Sequence, residues 1–216
     1  MGVRSVTMAG DTKERIRDAA LELFSEKGYP GTAMSDIAKK IGLTKAALYK
    51  HYASKQDIFD AIVESTAAQY EQYAEQIDVH VQDAKRDLSV FTGISADALA
   101  EKVRRIFLYS LHDETISRFR RMLTIEQFRS PELSRLYSQR YVERMVAYHA
   151  GVFRRLIEAG KVRKEPPETL AMLYVAPVIT LLGVCDREPA KEEESLQKLD
   201  DHVRLFYRMV RTGEHP

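Results

Sequence analysis

The chain of 216 residues carries 33 Lys and Arg residues against 32 Asp and Glu, a formal net charge of +1. A globally basic surface that binds nucleic acid through general charge is therefore excluded, and any basic patch must be local. Hydrophobic residues make up 44% of the chain and charged residues 30%, which is typical of a folded protein and not of a disordered one. The length allows one large domain or two small ones.

Three features predict a cytoplasmic protein. Residues 1–10 lack the apolar core of a secretion signal. The longest apolar run, residues 170–185, is shorter than the roughly 20 residues of a membrane-spanning helix, so we expect a buried helix there. Cys185 is the one cysteine, which excludes an intramolecular disulfide and favours a reducing compartment.

Apolar residues recur at helical spacing along nearly the whole chain. Asp11, followed by Glu14, is a variant of the capping box and predicts the start of a first helix that ends at Gly28. We expect further helices at about 34–40, 45–52, 54 onward, 96–111, 114–128, 131–159, 166–185 and 192–211. Pro177 should bend its helix, and the less periodic stretch 78–95 is a predicted loop or helix end. Because no alternating strand run occurs, the predicted fold class is all-α with about nine helices.

Residues 34–52 have the layout of a helix–turn–helix, because a short connection containing Gly42 joins two short helices. The second helix could lie in a DNA major groove with its first residues facing base edges. From Lys27 to Lys55 there are six lysines and one acid, a local balance of +5, which attracts phosphate in a salt-dependent way. The alternative is two packed helices with surface lysines and no role in DNA binding. Spacing, cap and local charge together favour DNA.

Residues 12–64 resemble the DNA-binding domain of the TetR family of transcriptional regulators. The resemblance rests on the AA-x-x-LF-x-x-x-GY pattern at 19–29, Thr32, the DIA of 36–38, Gly42 and LYKHYASK at 48–55. It covers about a quarter of the chain. It implies a helix–turn–helix DNA-binding domain at 11–56 and an effector-binding and dimerisation domain at 57–216. It also implies a non-enzymatic homodimer, most simply a repressor that a small-molecule effector releases from a pseudo-palindromic operator.

The resemblance assigns DNA contacts to the second helix of the motif and its surroundings. The expected contacts are Thr32, Thr44, Lys45, Ala46, Leu48, Tyr49, Lys50, His51 and Lys55. Thr44 should cap the recognition helix and can donate to a phosphate. Lys45 and Ala46 should reach base edges from the tip of that helix. Tyr49 is the expected phosphate contact and Tyr52 the expected packing residue.

Some of these roles stay open between alternatives. Leu48 either packs inward or touches a thymine methyl, with packing preferred. Lys50 and His51 could touch phosphate or base, and Lys55 adds charge to a helix N-terminus that already favours phosphate.

Two positions depart from the pattern of the family. Ser or Thr often stands where this chain has Ala33, which leaves Thr32 as the alternative helix cap. Glycine is common where Ala46 stands, and the alanine methyl could contact a thymine but limits approach of the backbone. Both departures leave the operator sequence open.

The last two predicted helices carry apolar stripes. Leu196, Leu199, Val203, Phe206 and Val210 are spaced 3, 4, 3 and 4 apart, a heptad-like seam. Either stripe could pack within one subunit, but the resemblance implies a homodimer through a four-helix bundle. The expected interface residues are Leu173, Val178, Leu181, Leu199, Val203, Phe206 and Val210. Two-fold symmetry would set the recognition helices about 34–36 Å apart or a little more.

The resemblance further implies an effector cavity enclosed by the helices at 96–111, 114–128 and 131–159. The candidate lining residues are Phe107, Leu111, Met122, Glu126, Tyr141, Tyr148, His149 and Tyr174. Plain core packing is the stronger alternative for each of them. A buried Glu126 would need a partner, either a cationic ligand or, as we prefer, one of Arg120, Arg121 and Arg129.

Catalytic and metal sites have little support in the sequence. Cys185 is interpreted as an inert core thiol, and the clusters at 112–114 and at His80 with Asp83 match no recognised metal spacing. We therefore expect no cofactor, and the expected partners are operator DNA, a second copy and an unidentified small effector. The main alternative is a DNA-bound regulator that answers to a protein partner, favoured by an exposed apolar patch and the lack of a ligand-sized cavity. An all-α enzyme would need an activated nucleophile, or a paired acid and base, which the sequence does not offer.

Overall fold

The computed structural model describes residues 3–79 and 91–212, with side chains described from Asp11 onward. The described residues are almost entirely helical, which confirms the all-α class, and one isolated bridge joins Val162 to Arg211. The predicted loop at 78–95 lies mostly outside the described residues, as do His80 and Asp83. Its final part, residues 91–93, is a helical turn.

Ten α-helices follow one another in the described residues. They are α1 (Val3–Lys27), α2 (Met34–Lys40), α3 (Lys45–Tyr49), α4 (Lys55–Gln76), α5 (Ala96–His112), α6 (Glu114–Glu126), α7 (Pro131–Ser138), α8 (Arg144–Glu158), α9 (Pro167–Arg187) and α10 (Glu192–Val210). A π-helical turn, Gln139–Glu143, joins α7 to α8, so the helix expected at 131–159 is interrupted in register. A 3-10 turn, Pro189–Lys191, precedes α10.

The ends of two predicted helices differ from the structure. α1 begins at Val3, so Asp11 lies inside the helix and does not cap it. A capping pattern marks a possible start, but a helix continues wherever the preceding residues keep their backbone hydrogen bonds. α3 ends at Tyr49, short of the expected Tyr52, because the chain turns at residues 50–51.

The chain divides into two compact units. The N-terminal unit comprises Met1–Tyr70 and Glu114–Ser134, and the C-terminal unit comprises Glu71–Asp113 and Arg135–Pro216. α6 therefore packs with the helix–turn–helix, although it falls within the segment 57–216 that the sequence assigns to the effector domain. The functional division at residue 56 stays a prediction.

Aromatic side chains from three helices form the centre of the N-terminal unit. Phe24 of α1 and Phe59 of α4 have ring centroids 6.3 Å apart, and Phe59 lies 6.3 Å from Phe119 of α6. All three are almost completely buried. α6 is thus a structural element of this unit, since removal of its aromatic face would leave α1 and α4 partly uncovered.

The C-terminal unit is built from α5, α8, α9 and α10. One core cluster joins Leu99, Phe153, Tyr174, Val203 and Phe206 with their neighbours. A second, smaller cluster contains Phe107, Val178, Cys185, Leu196 and Leu199. The stripes that the sequence shows on α9 and α10 therefore supply the core of the unit.

α9 is long and apolar enough to cross a membrane by length and composition alone. Among the described residues it is the one helix with this property, which is weak evidence because core helices share it. Its buried face consists of Leu170, Ala171, Tyr174, Val175, Val178 and Cys185. This face agrees with the expected core helix, whereas Met172 and Leu173 on another face are about half exposed.

Candidate DNA-binding face and effector cavity

The connection between α2 and α3 is a tight turn at Gly42. This residue has φ +71°, a conformation that glycine adopts without steric strain. The N–H of Leu43 donates to the carbonyl of Ala38 at 2.9 Å and closes the turn. Ile37 and Leu48 are fully buried on the inner faces of the two helices. α2 and α3 therefore form a helix–turn–helix.

The tip of α3 presents three exposed side chains. The helix starts at Thr44, whose Oγ1 accepts a hydrogen bond from the N–H of Ala47 at 3.1 Å, as predicted for the cap. Lys45 and Ala46 follow and are exposed, and Tyr49 is 44% exposed one turn later. The Nζ of Lys45 lies 5.9 Å from the centroid of the Tyr49 ring, within cation–π range. A cation, a methyl group and a phenol on one exposed tip suit contact with phosphates and base edges.

The residues after α3 remain accessible as well. Lys50 is exposed and His51 is partly exposed. The accessible members of the predicted contact set are thus Thr44, Lys45, Ala46, Tyr49, Lys50 and His51. Tyr52 is buried, in agreement with its expected packing role.

Thr32 and Leu48 are buried inside the N-terminal unit and are not available to DNA. Thr32 is 1% exposed, and its hydroxyl donates to the carbonyls of Gly28 at 3.0 Å and Leu23 at 3.3 Å. Of the two roles open for Leu48, the structure selects packing. Thr32 also does not cap α2, whose first turn is closed by Asp36 accepting from the N–H of Ala33 at 3.0 Å.

Lys55 stabilises the turn between α1 and α2. Its ammonium donates to the carbonyl of Tyr29 at 2.7 Å and to that of Thr32 at 2.8 Å, and lies 4.4 Å from the Tyr29 ring centroid. Burial lowers the pKa of Lys55 from its ordinary value. The predicted phosphate contact is therefore replaced by a structural role, because the three donors already serve the unit's own carbonyls and ring.

Glu126, at the end of α6, is the buried carboxylate of the N-terminal unit. It is 1% exposed, and its Oε1 accepts from Nη1 of Arg129 at 3.4 Å. Of the partners considered from the sequence, the internal arginine is the one observed. The other oxygen, Oε2, has no hydrogen-bond partner among the described residues.

The C-terminal unit contains a small, partly open cavity of about 40 Å³. Its lining is mostly aromatic and aliphatic: Phe91, Ile94, Leu99, His149, Val152, Phe153, Leu156, Val162, Tyr174, Phe206, Tyr207, Val210 and Arg211. This volume holds a few water molecules, whereas pockets for small ligands measure roughly 300–1,000 Å³. The cavity is therefore smaller than the effector site that the resemblance implies.

Two of the eight candidate effector residues line this cavity, His149 and Tyr174. Their rings lie 5.0 Å apart. Tyr148 packs edge-on against His149, and Tyr141 pairs with Tyr137 at 5.3 Å, but neither lines the cavity.

The other four candidates lie elsewhere. Phe107 is buried in the second core cluster, with Leu111 packed against that cluster. Met122 and Glu126 belong to the N-terminal unit and are buried there. Helical spacing predicts an inward-facing residue but does not distinguish a cavity wall from solid core, so it does not separate these four residues from the cavity lining.

Five of the seven expected dimer contacts are buried in the chain itself, namely Val178, Leu199, Val203, Phe206 and Val210. The heptad-like seam of α10 is thus its core-facing stripe, packed on α5 and α9. Leu181 is partly buried, and Leu173 is 55% exposed. The sequence reading missed the other exposed apolar side chains of α9 and α10, which are Met172, Leu205 and Met209.

The remaining reactive groups have local partners or are buried. Within residues 3–79 and 91–212, no three His, Cys, Asp or Glu side chains form a group that could hold a metal ion. Nε2 of His112 lies 2.9 Å from a carboxylate oxygen of Glu192. Cys185 is buried in the second core cluster.

Comparison with known proteins relates the helix–turn–helix region to a known family. Residues 16–62 match the profile described as bacterial regulatory proteins, tetR family. Over 53 residues the chain is 49% identical to IcaR of Staphylococcus epidermidis, the negative transcriptional regulator of the biofilm operon icaADBC. The matched segment covers 24% of this chain and 29% of that protein. The chain thus matches less than a third of the length of this curated relative.

Solved structures extend the likeness to the whole fold. A TetR-family transcriptional regulator from Mesorhizobium loti aligns with a TM-score of 0.69 at 24% identity, over 94% of this chain and 98% of its own. SmeT is the repressor of the Stenotrophomonas maltophilia multidrug efflux pump SmeDEF. Its triclosan complex aligns with a TM-score of 0.68 at 23% identity, over 94% of this chain and 93% of SmeT. Regulators of this family are not enzymes. Residues 16–62 therefore carry a helix–turn–helix of the TetR family type, and the chain as a whole shares the fold of these solved regulators.

Proposed function

We propose that the protein is a cytoplasmic transcriptional regulator that binds a pseudo-palindromic operator as a homodimer and represses from it. The exposed tip of α3 carries this proposal, because Lys45, Ala46 and Tyr49 project from a helix–turn–helix that matches the family. Repression is supported by the relatives, since IcaR is a negative regulator and SmeT a repressor.

Local charge supports DNA as the partner. Lys39, Lys45 and Lys50 are exposed around the helix–turn–helix, whereas the whole chain is close to neutral. Lysines that neutralise phosphates release condensed counterions, so affinity should fall steeply with salt. Lys55 is not counted among them, since its ammonium is bonded within the unit.

The apolar surface of α9 and α10 supports a homodimer. The two helices pack against each other, and each also exposes large apolar side chains. These are Met172 and Leu173 on α9 and Leu205 and Met209 on α10, each between 47% and 56% exposed. Contact with the same helices of a second copy would bury them and produce the two-fold symmetry that a pseudo-palindrome requires.

A small-molecule effector is proposed to release the operator. SmeT has been solved with triclosan, and the cavity of the present chain lies in the C-terminal unit. An effector that prefers the conformation not bound to DNA would lower operator affinity by shifting the population of states. Fold likeness alone does not identify that effector.

Control by a protein partner is the second candidate. Two observations favour it: the cavity measures only about 40 Å³, and Phe128 is 88% exposed with Ile125 54% exposed nearby in sequence. Exposed apolar side chains of this size often mark protein contacts. Under this alternative Phe128→Ser would abolish the response in cells while leaving operator binding by the purified protein unchanged. Under effector control the variant would respond normally.

Selection of random duplex DNA by the purified full chain tests the DNA-binding function. We expect recovery of a palindromic site and a negative slope of log affinity against log salt. Lys45→Ala should relax the preference at one or two base positions, at a cost of about 1–3 kcal/mol if the lysine contacts a base. Lys164→Ala, which removes an exposed lysine of the C-terminal unit, is the matched control and should change neither property.

Two outcomes would contradict the proposal. Binding without sequence preference would remove the operator from the function. If Lys45→Ala and Lys164→Ala lowered affinity equally, with the recovered site unchanged, the tip of α3 would not be the reading element.

A further inference from the structure

We infer that the cavity of the C-terminal unit takes a compact, neutral, largely apolar ligand with one hydrogen-bonding group, and that the hydroxyl of Tyr174 pairs with that group. This inference rests on the regulator function proposed above and names the chemical class of its effector. The observations behind it are the residues that line the cavity and the hydrogen bonds that their polar groups form.

The described walls of the cavity are mostly apolar. Phe153 and Phe206 lie near Tyr174 with ring centroids 6.0 and 5.1 Å away, and aliphatic side chains make up much of the remaining described lining. Such walls favour transfer of an apolar or aromatic ligand from water. Among the lining residues that the structure describes there is no Asp or Glu, so these walls offer a cationic ligand no counter-charge.

The described walls are also unfavourable for an anion. Arg211 is the one Lys or Arg among the described lining residues, and its guanidinium is already hydrogen-bonded within the protein. It donates to the carbonyl of Phe91 at 2.9 Å and to that of Ile94 at 3.3 Å, and it stacks on the Tyr207 ring at 4.7 Å. An anionic ligand would have to break these bonds to gain its counter-ion, so a neutral ligand is favoured.

The hydroxyl of Tyr174 is the polar group available to a ligand. Tyr174 is 6% exposed, and among the described residues its hydroxyl forms no hydrogen bond, whereas its carbonyl is paired with Nε2 of His202 at 3.0 Å. The other polar residues of the lining are engaged, since the Tyr207 hydroxyl donates to Ile94 and Nδ1 of His149 donates to Met145. A phenol hydroxyl in the wall of an apolar cavity can pair with a donor or an acceptor of a ligand.

The cavity is too small for such a ligand unless part of its wall moves. A volume of about 40 Å³ does not hold a benzene ring, so one wall must yield on binding. The stretch 91–94 is fastened by side-chain hydrogen bonds from Tyr207 and Arg211, whereas most of the other described lining residues lie in packed helices. Displacement of 91–94 must break these bonds and the apolar packing of Phe91 and Ile94 on the core cluster, but it does not require the long helices to separate. The cavity therefore takes its ligand by opening at this wall.

Calorimetric titration of the full chain tests the inference with four probes of matched size: 4-methylphenol, toluene, 4-methylbenzoate and 4-methylbenzylamine. We expect 4-methylphenol to bind at least about tenfold more tightly than the two charged probes, as an unpaired buried charge requires. Its advantage over toluene should be about fivefold and should vanish in Tyr174→Phe. Tyr141→Phe removes a phenol that does not line the cavity and should behave as the wild type.

Equal or tighter binding of 4-methylbenzoate would overturn the ligand class, and an unchanged advantage of 4-methylphenol in Tyr174→Phe would overturn the role of Tyr174. If no probe binds at millimolar concentration, the cavity is not a site for this class. Operator binding is measured on the same preparation, which separates the two proposals. Loss of probe binding with intact operator binding contradicts this inference alone, whereas probe binding without operator binding contradicts the regulator function alone.

Discussion

The carboxylate of Glu126, at the end of α6, lies directly against the backbone of Gly28, where α1 ends. A Cβ atom at Gly28 would stand 2.6 Å from Oε1 of Glu126, closer than van der Waals contact allows. Gly28 has φ +78°, and its carbonyl accepts the Thr32 hydroxyl that fixes the turn leading into α2. α6 is thereby joined to the turn from which the helix–turn–helix begins.

Gly28→Ala should destabilise the protein more than Gly42→Ala. Both residues have positive φ, which costs an alanine about 1 kcal/mol, but a Cβ at Gly42 has no heavy atom within 4 Å. At Gly28 the collision with buried Glu126 should add about 1–2 kcal/mol. Urea unfolding measures both losses. In a Glu126→Ala background the two glycine substitutions should cost the same, and a persisting difference would contradict this explanation.

The ion pair between Lys40 of α2 and Glu22 of α1 should contribute stability only above acidic pH. Nζ of Lys40 lies 2.9 Å from Oε1 of Glu22, and this hydrogen bond lowers the pKa of the Glu22 carboxyl. Because the pKa of Glu22 is lower in the folded state, the ion pair stabilises the protein at pH values above the unfolded-state pKa, which is about 4.3. This stability is lost as the pH falls through the folded-state pKa. Both side chains are about one-third exposed, so Lys40→Met should cost only about 0.2–1 kcal/mol at pH 7.

Unfolding at pH 7 and at about pH 3 checks this prediction, with Lys39→Met, the exposed neighbour, as the control. The difference between wild type and Lys40→Met should shrink toward zero at the acidic pH. A loss of equal size at both pH values would show that Lys40 acts through packing of its apolar stem and not through its charge.

Leu205→Glu should weaken the proposed dimer without unfolding the chain. Leu205 is 51% exposed on α10, so a carboxylate there stays hydrated in the monomer but would be buried against a second copy. Sedimentation equilibrium should show a dimer dissociation constant at least about tenfold higher, so that monomer is populated at concentrations where the wild type is dimeric. Leu199→Ala is the contrast: it should lose about 2–5 kcal/mol of stability from the core. A dimeric Leu205→Glu would place the interface elsewhere.

Tyr207→Phe should increase the apparent affinity for 4-methylphenol. The substitution removes the bond from the Tyr207 hydroxyl to the Ile94 carbonyl at 2.9 Å, and with it part of the fastening of the 91–94 wall. This hydrogen bond opposes opening of the wall and contributes about 0.5–1.5 kcal/mol net. Its loss should therefore raise the apparent affinity about two- to tenfold. Calorimetry measures the gain, with Tyr137→Phe, outside the lining, as the control. A lower affinity would show that the Tyr207 hydroxyl contacts the ligand.

The short-range features of the DNA-binding head follow from the sequence. Thr44 caps α3 and Gly42 turns the chain, because capping and positive φ depend on a few neighbouring residues. The exposed positions Lys45 and Tyr49 follow from the same helical register. Periodicity also predicts which stripe of α10 is apolar.

What packs against each stripe was decided only by the tertiary structure. Periodicity says that Phe206 and Val210 face something apolar, but the partner is the chain's own core, and a second copy would meet Leu205 and Met209 instead. The sequence predicts that Lys55 contacts phosphate, but its ammonium donates hydrogen bonds to the carbonyls of Thr32 and Tyr29, which lie 23 and 26 residues earlier in the chain. The cavity, too, is formed by residues from 91 to 211. Helical period is a property of local backbone geometry, whereas the partner of a face depends on contacts between residues far apart in the chain, which no local pattern encodes.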